Sequence, residues 1–168
     1  SYDAQQINEI LAQRAKQGLH QYEQENLSQI SALTTKRTNS DARVAIKTLF
    51  YSVTQKEMSI EACFEQARKE IIVDMITDLS DSTLMILQSA VTSRSAFARD
   101  IYKTYCKLST SNYEKPFSYV YFYSTLSYLQ SLGLILLIST KVRRTYTKIL
   151  QLTFPAEILD SVWGIRFG

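Results

Sequence analysis

Apolar side chains recur every three to four positions along most of this chain, and only near its end does the period shorten to two. Ile7, Ile10, Leu11 and Ala15 form the first helical stripe. Asp3 and Gln6 stand before it at capping-box spacing, and Gly18 marks its stop. A second helix is predicted over 23–35, with Leu27, Ile30 and Leu33 inward. Thr38-Asn39-Ser40 is a loop and cap signal before a third helix over 41–54, with Val44, Ile46, Leu49 and Phe50 as its apolar positions. Ser59 caps a long fourth helix reaching about Leu79, with Cys63, Ala67, Ile71 and Met75 on one face. Ser80 caps the next, over 81–92, and a further helix over 95–108 carries Phe97, Ile101, Tyr102 and Tyr105. The polar stretch 109–116 is a turn. A helix over 117–132 follows, with Phe122, Leu126 and Leu129 inward and Ser118, Tyr121, Thr125 and Tyr128 outward. Beyond Gly133, the runs 134–139 and 145–152 read as an antiparallel pair around a polar turn holding Lys141, Arg143 and Arg144. Pro155 opens a last short helix over 156–162, and Trp163 docks it.

The second half thus runs helix, helix, turn, helix, hairpin, helix. That order is a helix-turn-helix with a wing, and a hairpin with a cationic tip points to duplex DNA. The expected architecture is mainly α: a small four-helix domain over 1–79 and a winged helix over 80–168 with a short C-terminal helix. Only 4 Gly and 2 Pro among 168 residues favour helix over long loops, and an apolar content of 45% suffices for a packed core. The longest apolar run, 132–138, is too short to span a bilayer, and the start carries no signal-peptide pattern. These features imply no membrane partner and a cytoplasmic, nucleoid-associated protein.

The net charge of +3 hides an asymmetry. Residues 1–79 hold nine Lys/Arg against eleven Asp/Glu, whereas 80–168 hold ten against five. A basic half beside a mildly acidic one suggests that the C-terminal half meets a polyanion. The hydroxyls and aromatic edges of the 117–132 helix can bond phosphates or bases, and Lys141, Arg143 and Arg144 can sit against phosphates or enter a minor groove. The expected DNA contacts are Ser118, Tyr119, Tyr121, Thr125, Lys141, Arg143, Arg144, Thr145 and Lys148. Six of the eleven tyrosines fall between Tyr102 and Tyr123, and packing with the hydroxyl at the surface accounts equally well for any one of them.

Catalysis finds little support. No glycine-rich phosphate loop is present. His20 is the sole histidine and has no partners at metal spacing. Asp78 and Asp81 flank a helix cap, and Cys63 and Cys106 read as two reduced thiols. No metal, no catalytic residue and no enzymatic activity are therefore expected of these residues alone.

Five short blocks carry a likeness to a known family. Tyr2–Ala15 (YDAQQINEILAQRA) resembles the start of the lid of AAA+ proteins, and Ser40–Phe50 (SDARVAIKTLF) is similar to the lid motif G-D-A-R-x-A-x-x-x-L. Glu61–Leu87 resembles the helix that leaves the lid for a winged helix, Phe117–Ile135 a recognition helix, and Arg143–Thr145 the close of the wing. In order and spacing, the chain resembles the C-terminal part, lid plus winged helix, of the archaeal origin-recognition and cell-division-control replication initiators, which are AAA+ ATPases. That resemblance implies duplex origin DNA as ligand and other initiation proteins as possible partners. It also implies ATP or ADP with magnesium only in the context of a base domain absent from this sequence, and no cofactor for these residues alone. Arg43 takes the place of the second sensor arginine, which reaches from the lid to the γ-phosphate. Departures from the pattern are Ser40 for the usual Gly, a shorter wing without glycines, and Val120 and Tyr121 at positions that are usually basic. The chain reads as a fragment of a longer initiator or a divergent relative without the base. The alternatives are a winged-helix protein-interaction module and a transcription regulator whose four-helix half dimerises.

Overall fold

The structure, a computed structural model, describes residues 2–18, 24–38 and 41–168, so His20 and Ser40 lie outside the described residues. It divides into two compact units, Ser1–Ile72 and Val73–Gly168, each considered by itself below.

The first unit holds α1 (Ala4–Gly18), α2 (Gln24–Arg37), α3 (Ala42–Thr54) and most of α4 (Ile60–Thr77). The capping box of α1 forms as its sequence implies: the Gln6 N–H donates to Asp3 Oδ1 at 2.8 Å and the Asp3 N–H to Gln6 Oε1 at 3.0 Å. Asp41 caps α3, and Ser59 Oγ accepts the Ala62 N–H at the start of α4. Ile7, Leu11, Leu27, Ile30, Ala45 and Leu49 fuse the stripes of α1, α2 and α3 into one core. Val44, Phe64 and Ala67 make a second cluster between α3 and α4. Phe50 is the exception among the apolar positions of α3, since it stands exposed.

The second unit holds α5 (Asp81–Thr92), α6 (Ala98–Ser111), α7 (Tyr119–Ser131), β1 (Ile135–Val142), β2 (Thr145–Leu152) and α8 (Ala156–Phe167). It is a winged helix, with α5 packed on α6 and α8, and α7 on β1. α6 runs on to Ser111, into the stretch read as a turn, α7 starts only at Tyr119, and three further boundaries differ from expectation for physical reasons. Residues 95–97 are not helical. The Leu150 N–H donates to the Ala96 carbonyl at 2.9 Å, and Phe97 bridges Ile149, so this segment lies along β2 as a rudimentary third strand. β1 continues past Ser139 to Val142 because a two-residue turn keeps the ladder paired to its end. α8 continues past Val162 to Phe167. Near its end the Arg166 guanidinium donates to the carbonyls of Thr77 and Leu79, which the end of α4 leaves without helical partners.

Helix α6 ends in a Schellman motif, with the Glu114 N–H on Ser109 O and the Tyr113 N–H on Thr110 O. Tyr113 takes the left-handed position at φ 59° that glycine normally fills. The same motif closes α7 with Gly133 at φ 78°, and the buried Leu129 and Leu134 bracket it. Between these helix ends, the buried Tyr105 accepts the Phe117 N–H on its hydroxyl at 3.0 Å, and Tyr102 donates its own to the Phe117 carbonyl at 2.9 Å. Two of the six clustered tyrosines thus hold the turn that sets the direction of α7.

Candidate nucleic-acid interface

The wing is two eight-residue strands in register from Ile135↔Leu152 to Val142↔Thr145. Arg143 and Arg144 are therefore the two central residues of the turn, with φ 46° and 69°. Positive φ at both positions is the geometry of a type I′ turn, whose twist matches that of the strands. Both arginines are exposed. Directly opposed residues share a face, so the pairs Lys141↔Tyr146 and Ser139↔Lys148 lie on one side of the hairpin. There Lys141 Nζ lies 5.7 Å from the centre of the Tyr146 ring, and Lys148 Nζ reaches 6.0 Å from that of Tyr123 on α7.

Helix α7 is held to this wing. Gln130 Oε1 accepts the Leu137 N–H at 2.7 Å, which anchors the start of β1 to the end of α7. Ser118 caps α7 by accepting the Tyr121 N–H at 3.3 Å, so its O–H and one remaining lone pair are left to offer a ligand. Tyr121 is exposed and stands edge-on to Phe117 with centroids 4.6 Å apart. Tyr119 is exposed and packs edge-on against Tyr102 and Tyr123. Thr125 corrects the expected outward face. It is 8% exposed, and its hydroxyl donates to the Tyr121 carbonyl at 2.9 Å, so it belongs to the inner stripe with Phe122, Leu126 and Leu129. Ser118, Tyr121 and Tyr128 stay outward as expected, with Tyr119 and Val120 exposed beside them. Helix α7 contains no Lys or Arg, so the positive charge beside it comes from other elements.

Those elements meet α7 in an open cleft of about 370 Å³, lined by Arg99, Tyr119, Tyr123, Tyr146 and Lys148, among others. The sequence alone did not single out Arg99, Tyr123 or Tyr146. The segment 95–97 ties the start of α6 to β2, and this brings Arg99, in the first turn of α6, to the wing. Burial, and then the Tyr119 hydroxyl, push the Tyr123 phenol up to about 12, so it stays a neutral hydrogen-bond donor near neutral pH.

Arg43 lies in the first unit, in the first turn of α3. Its Nε and Nη2 fork onto Asp41 Oδ1 and Oδ2 at 3.1 and 2.9 Å, and this hydrogen bonding raises its pKa. Its side chain remains 60% exposed. No group of His, Cys, Asp and Glu able to hold a metal occurs among the described residues. No described helix is long and apolar enough to cross a membrane.

No family model matches the chain. ORC1-type DNA replication protein 3 of Saccharolobus solfataricus is 28% identical over 144 residues, which take in 80% of this chain and 36% of that protein. The fold is similar to that of the Aeropyrum pernix ORC1 protein in complex with DNA, with a TM-score of 0.72 and 19% identity over 98% of this chain and 47% of the other. It is also similar to that of the Aeropyrum pernix ORC2 protein in its ADPNP–ADP complexes, with a TM-score of 0.53 and 23% identity over 98% and 47%. The chain thus spans about a third of the curated relative and under half of these structures. The resemblance to the archaeal origin-recognition and cell-division-control initiators, read from the motifs, is therefore borne out by sequence over most of the chain and by fold over nearly all of it.

Proposed function

We propose that the protein binds duplex DNA in replication initiation, as the lid and winged-helix part of an ATP-dependent initiator. The observation that carries this reading is the convergence of α7 and the wing on one basic, hydroxyl-rich face. Lys141, Arg143, Arg144 and Lys148 there supply charge that α7 lacks. In this reading the wing tip engages phosphates or a minor groove, with Thr145 beside it, and Ser118, Tyr119 and Tyr121 lie along the backbone. With cations off α7, backbone contact outweighs direct base readout. The name of the Saccharolobus relative and the DNA complex of the Aeropyrum relative agree with this role.

The first unit acts as the lid in the same reading, and the two domains are taken as 1–79 and 80–168. Arg43 already grips a carboxylate with a bidentate fork, and the same fork fits a phosphate. Arg43 would hold the terminal phosphate of a nucleotide seated with magnesium on a base domain, and the nucleotide's hydrolysable bond supplies the chemistry there. The 168 residues by themselves are not expected to turn over ATP.

Fluorescence anisotropy on a labelled duplex tests the DNA reading. Affinity should fall with salt at a log–log slope of about 0.9 per phosphate contacted. Arg143→Ala with Arg144→Ala should weaken binding and leave the helical circular dichroism unchanged. A salt-independent affinity, or an unaltered one in the double variant, would sink the proposal. One observation favours a second reading, a protein-interaction module. α7 carries no cation and exposes Val120 at 80% and Tyr128 at 54%. Absence of binding to any duplex at low salt, with a second initiation protein retained, would select it.

A further inference from the structure

The cleft between α7 and the wing has a chemistry that duplex contact does not require. A duplex offers a protein its phosphates, its sugars and the edges of its bases, while the base faces stay hidden in the stack. Charged and hydroxyl groups suffice for that. This cleft instead combines two cations, Arg99 and Lys148, with three phenol rings, Tyr119, Tyr123 and Tyr146. Tyr146 is 77% exposed and Tyr119 44%, so each offers ring surface to a ligand. Tyr146 stands on a solvated strand opposite Lys141, whose Nζ lies 5.7 Å from its ring centre, and the rest of the ring is open to solvent. The volume of about 370 Å³ falls in the range of sites for small organic ligands, roughly 300–1,000 Å³.

Aromatic rings beside cations are how proteins hold unpaired nucleotides: the base stacks on a ring and the phosphate meets the charge. We propose that this cleft seats one unpaired nucleotide of a DNA strand, its base against Tyr146 and Tyr119 and its phosphate on Arg99 and Lys148. The proposal rests on the DNA-binding reading above and deepens it, because it makes locally opened DNA, and not the intact duplex, the preferred ligand. Tyr123 lines the cleft beside Tyr119 and Lys148 and adds a third ring to it. The wing tip, with Arg143 and Arg144, lies outside the cleft lining and serves the flanking duplex.

Anisotropy with the 168-residue chain and two labelled probes tests this. One probe is a duplex, and the other is the same duplex with a short internal run of mismatched, unpaired bases. The chain should bind the opened probe roughly tenfold more tightly, as one added base stack of about 1.4 kcal/mol implies. Tyr146→Ala should bring the ratio of the two affinities close to one, whereas Tyr146→Phe should keep it. Tyr146 is exposed, so a melting curve will separate lost stacking from lost fold. Arg99→Ala, on α6 and not on the hairpin itself, should lower the same ratio independently. Equal affinities in the unmodified chain, or a preference that survives Tyr146→Ala, would overturn the cleft proposal while leaving duplex binding in place. Binding to neither probe would overturn both readings.

Discussion

Arg143 and Arg144 occupy backbone that arginine does not favour. Two-residue turns of this kind prefer Asn-Gly, and left-handed backbone costs a residue with a Cβ about 1–2 kcal/mol. The hairpin ladder holds the pair there, and the result is two guanidinium groups at the extreme tip of the wing. Arg143→Asn with Arg144→Gly should therefore raise the unfolding free energy by about 1–2 kcal/mol while weakening duplex binding. Thermal melting and anisotropy on the same preparation read both effects. An unchanged or lower melting temperature would show that the turn carries no strain, and full affinity would show that the tip does not touch DNA. Tyr113, fully exposed at the left-handed end of α6, shows the same trade between backbone preference and side chain.

The direction of α7 depends on hydrogen bonds that neither helix provides for itself. Phe117 precedes the helix, and its N–H and C=O are taken by the hydroxyls of Tyr105 and Tyr102 on α6. Tyr105→Phe keeps the ring in its buried stack and leaves the Phe117 N–H without that acceptor. The expected loss is about 0.5–1.5 kcal/mol by chemical denaturation, the contribution of one partly buried hydrogen bond. A loss indistinguishable from zero would mean that water replaces the hydroxyl. At this scale the helices were largely readable from sequence, because caps and apolar spacing are local properties: Asp3, Ser59 and Ser80 all cap as their positions imply, whereas Ser118, expected within α7, turned out to be its cap. The hairpin length was not. The reach of β1 to Val142 depends on the turn that closes it, and residues 95–97 became extended because β2 offered them a partner.

Over the whole chain the two units rely on different electrostatics. In the first, Glu70 accepts from Lys47 at 2.7 Å and from the Tyr51 hydroxyl, bringing α3 and α4 together. Lys47 first, and then Tyr51, hold the Glu70 carboxyl below its ordinary range. A depressed pKa contributes stability that is fully present above the unfolded value of about 4.3 and is lost as pH falls through the lower folded value. The Glu70→Gln chain should accordingly be less stable than the parent at neutral pH, and the difference should shrink towards about pH 3. A constant gap in melting temperature across that range would refute the linkage. The pair is partly exposed, so solvent screening keeps the effect small. The second unit carries the excess of basic residues, and salt weakens its proposed ligand binding.

The linear order of polar and apolar residues was enough to specify the helices, their caps, the hairpin and its basic tip, because each depends on neighbours within a few positions. It also carried the likeness to an initiator family through short motifs. Which side chains come to share a surface depends on contacts distant in sequence. Thr125 falls on the boundary between the two faces of α7, and packing with Phe122, Leu126 and Leu129 turned it inward with its hydroxyl satisfied by its own helix. Arg99, Tyr123 and Tyr146 sit on three elements, and no spacing along the chain links them. The pairing of residues 95–97 with β2 and the return of the hairpin over α7 bring them to one cleft, since side-chain proximity there is set by strand register and helix packing.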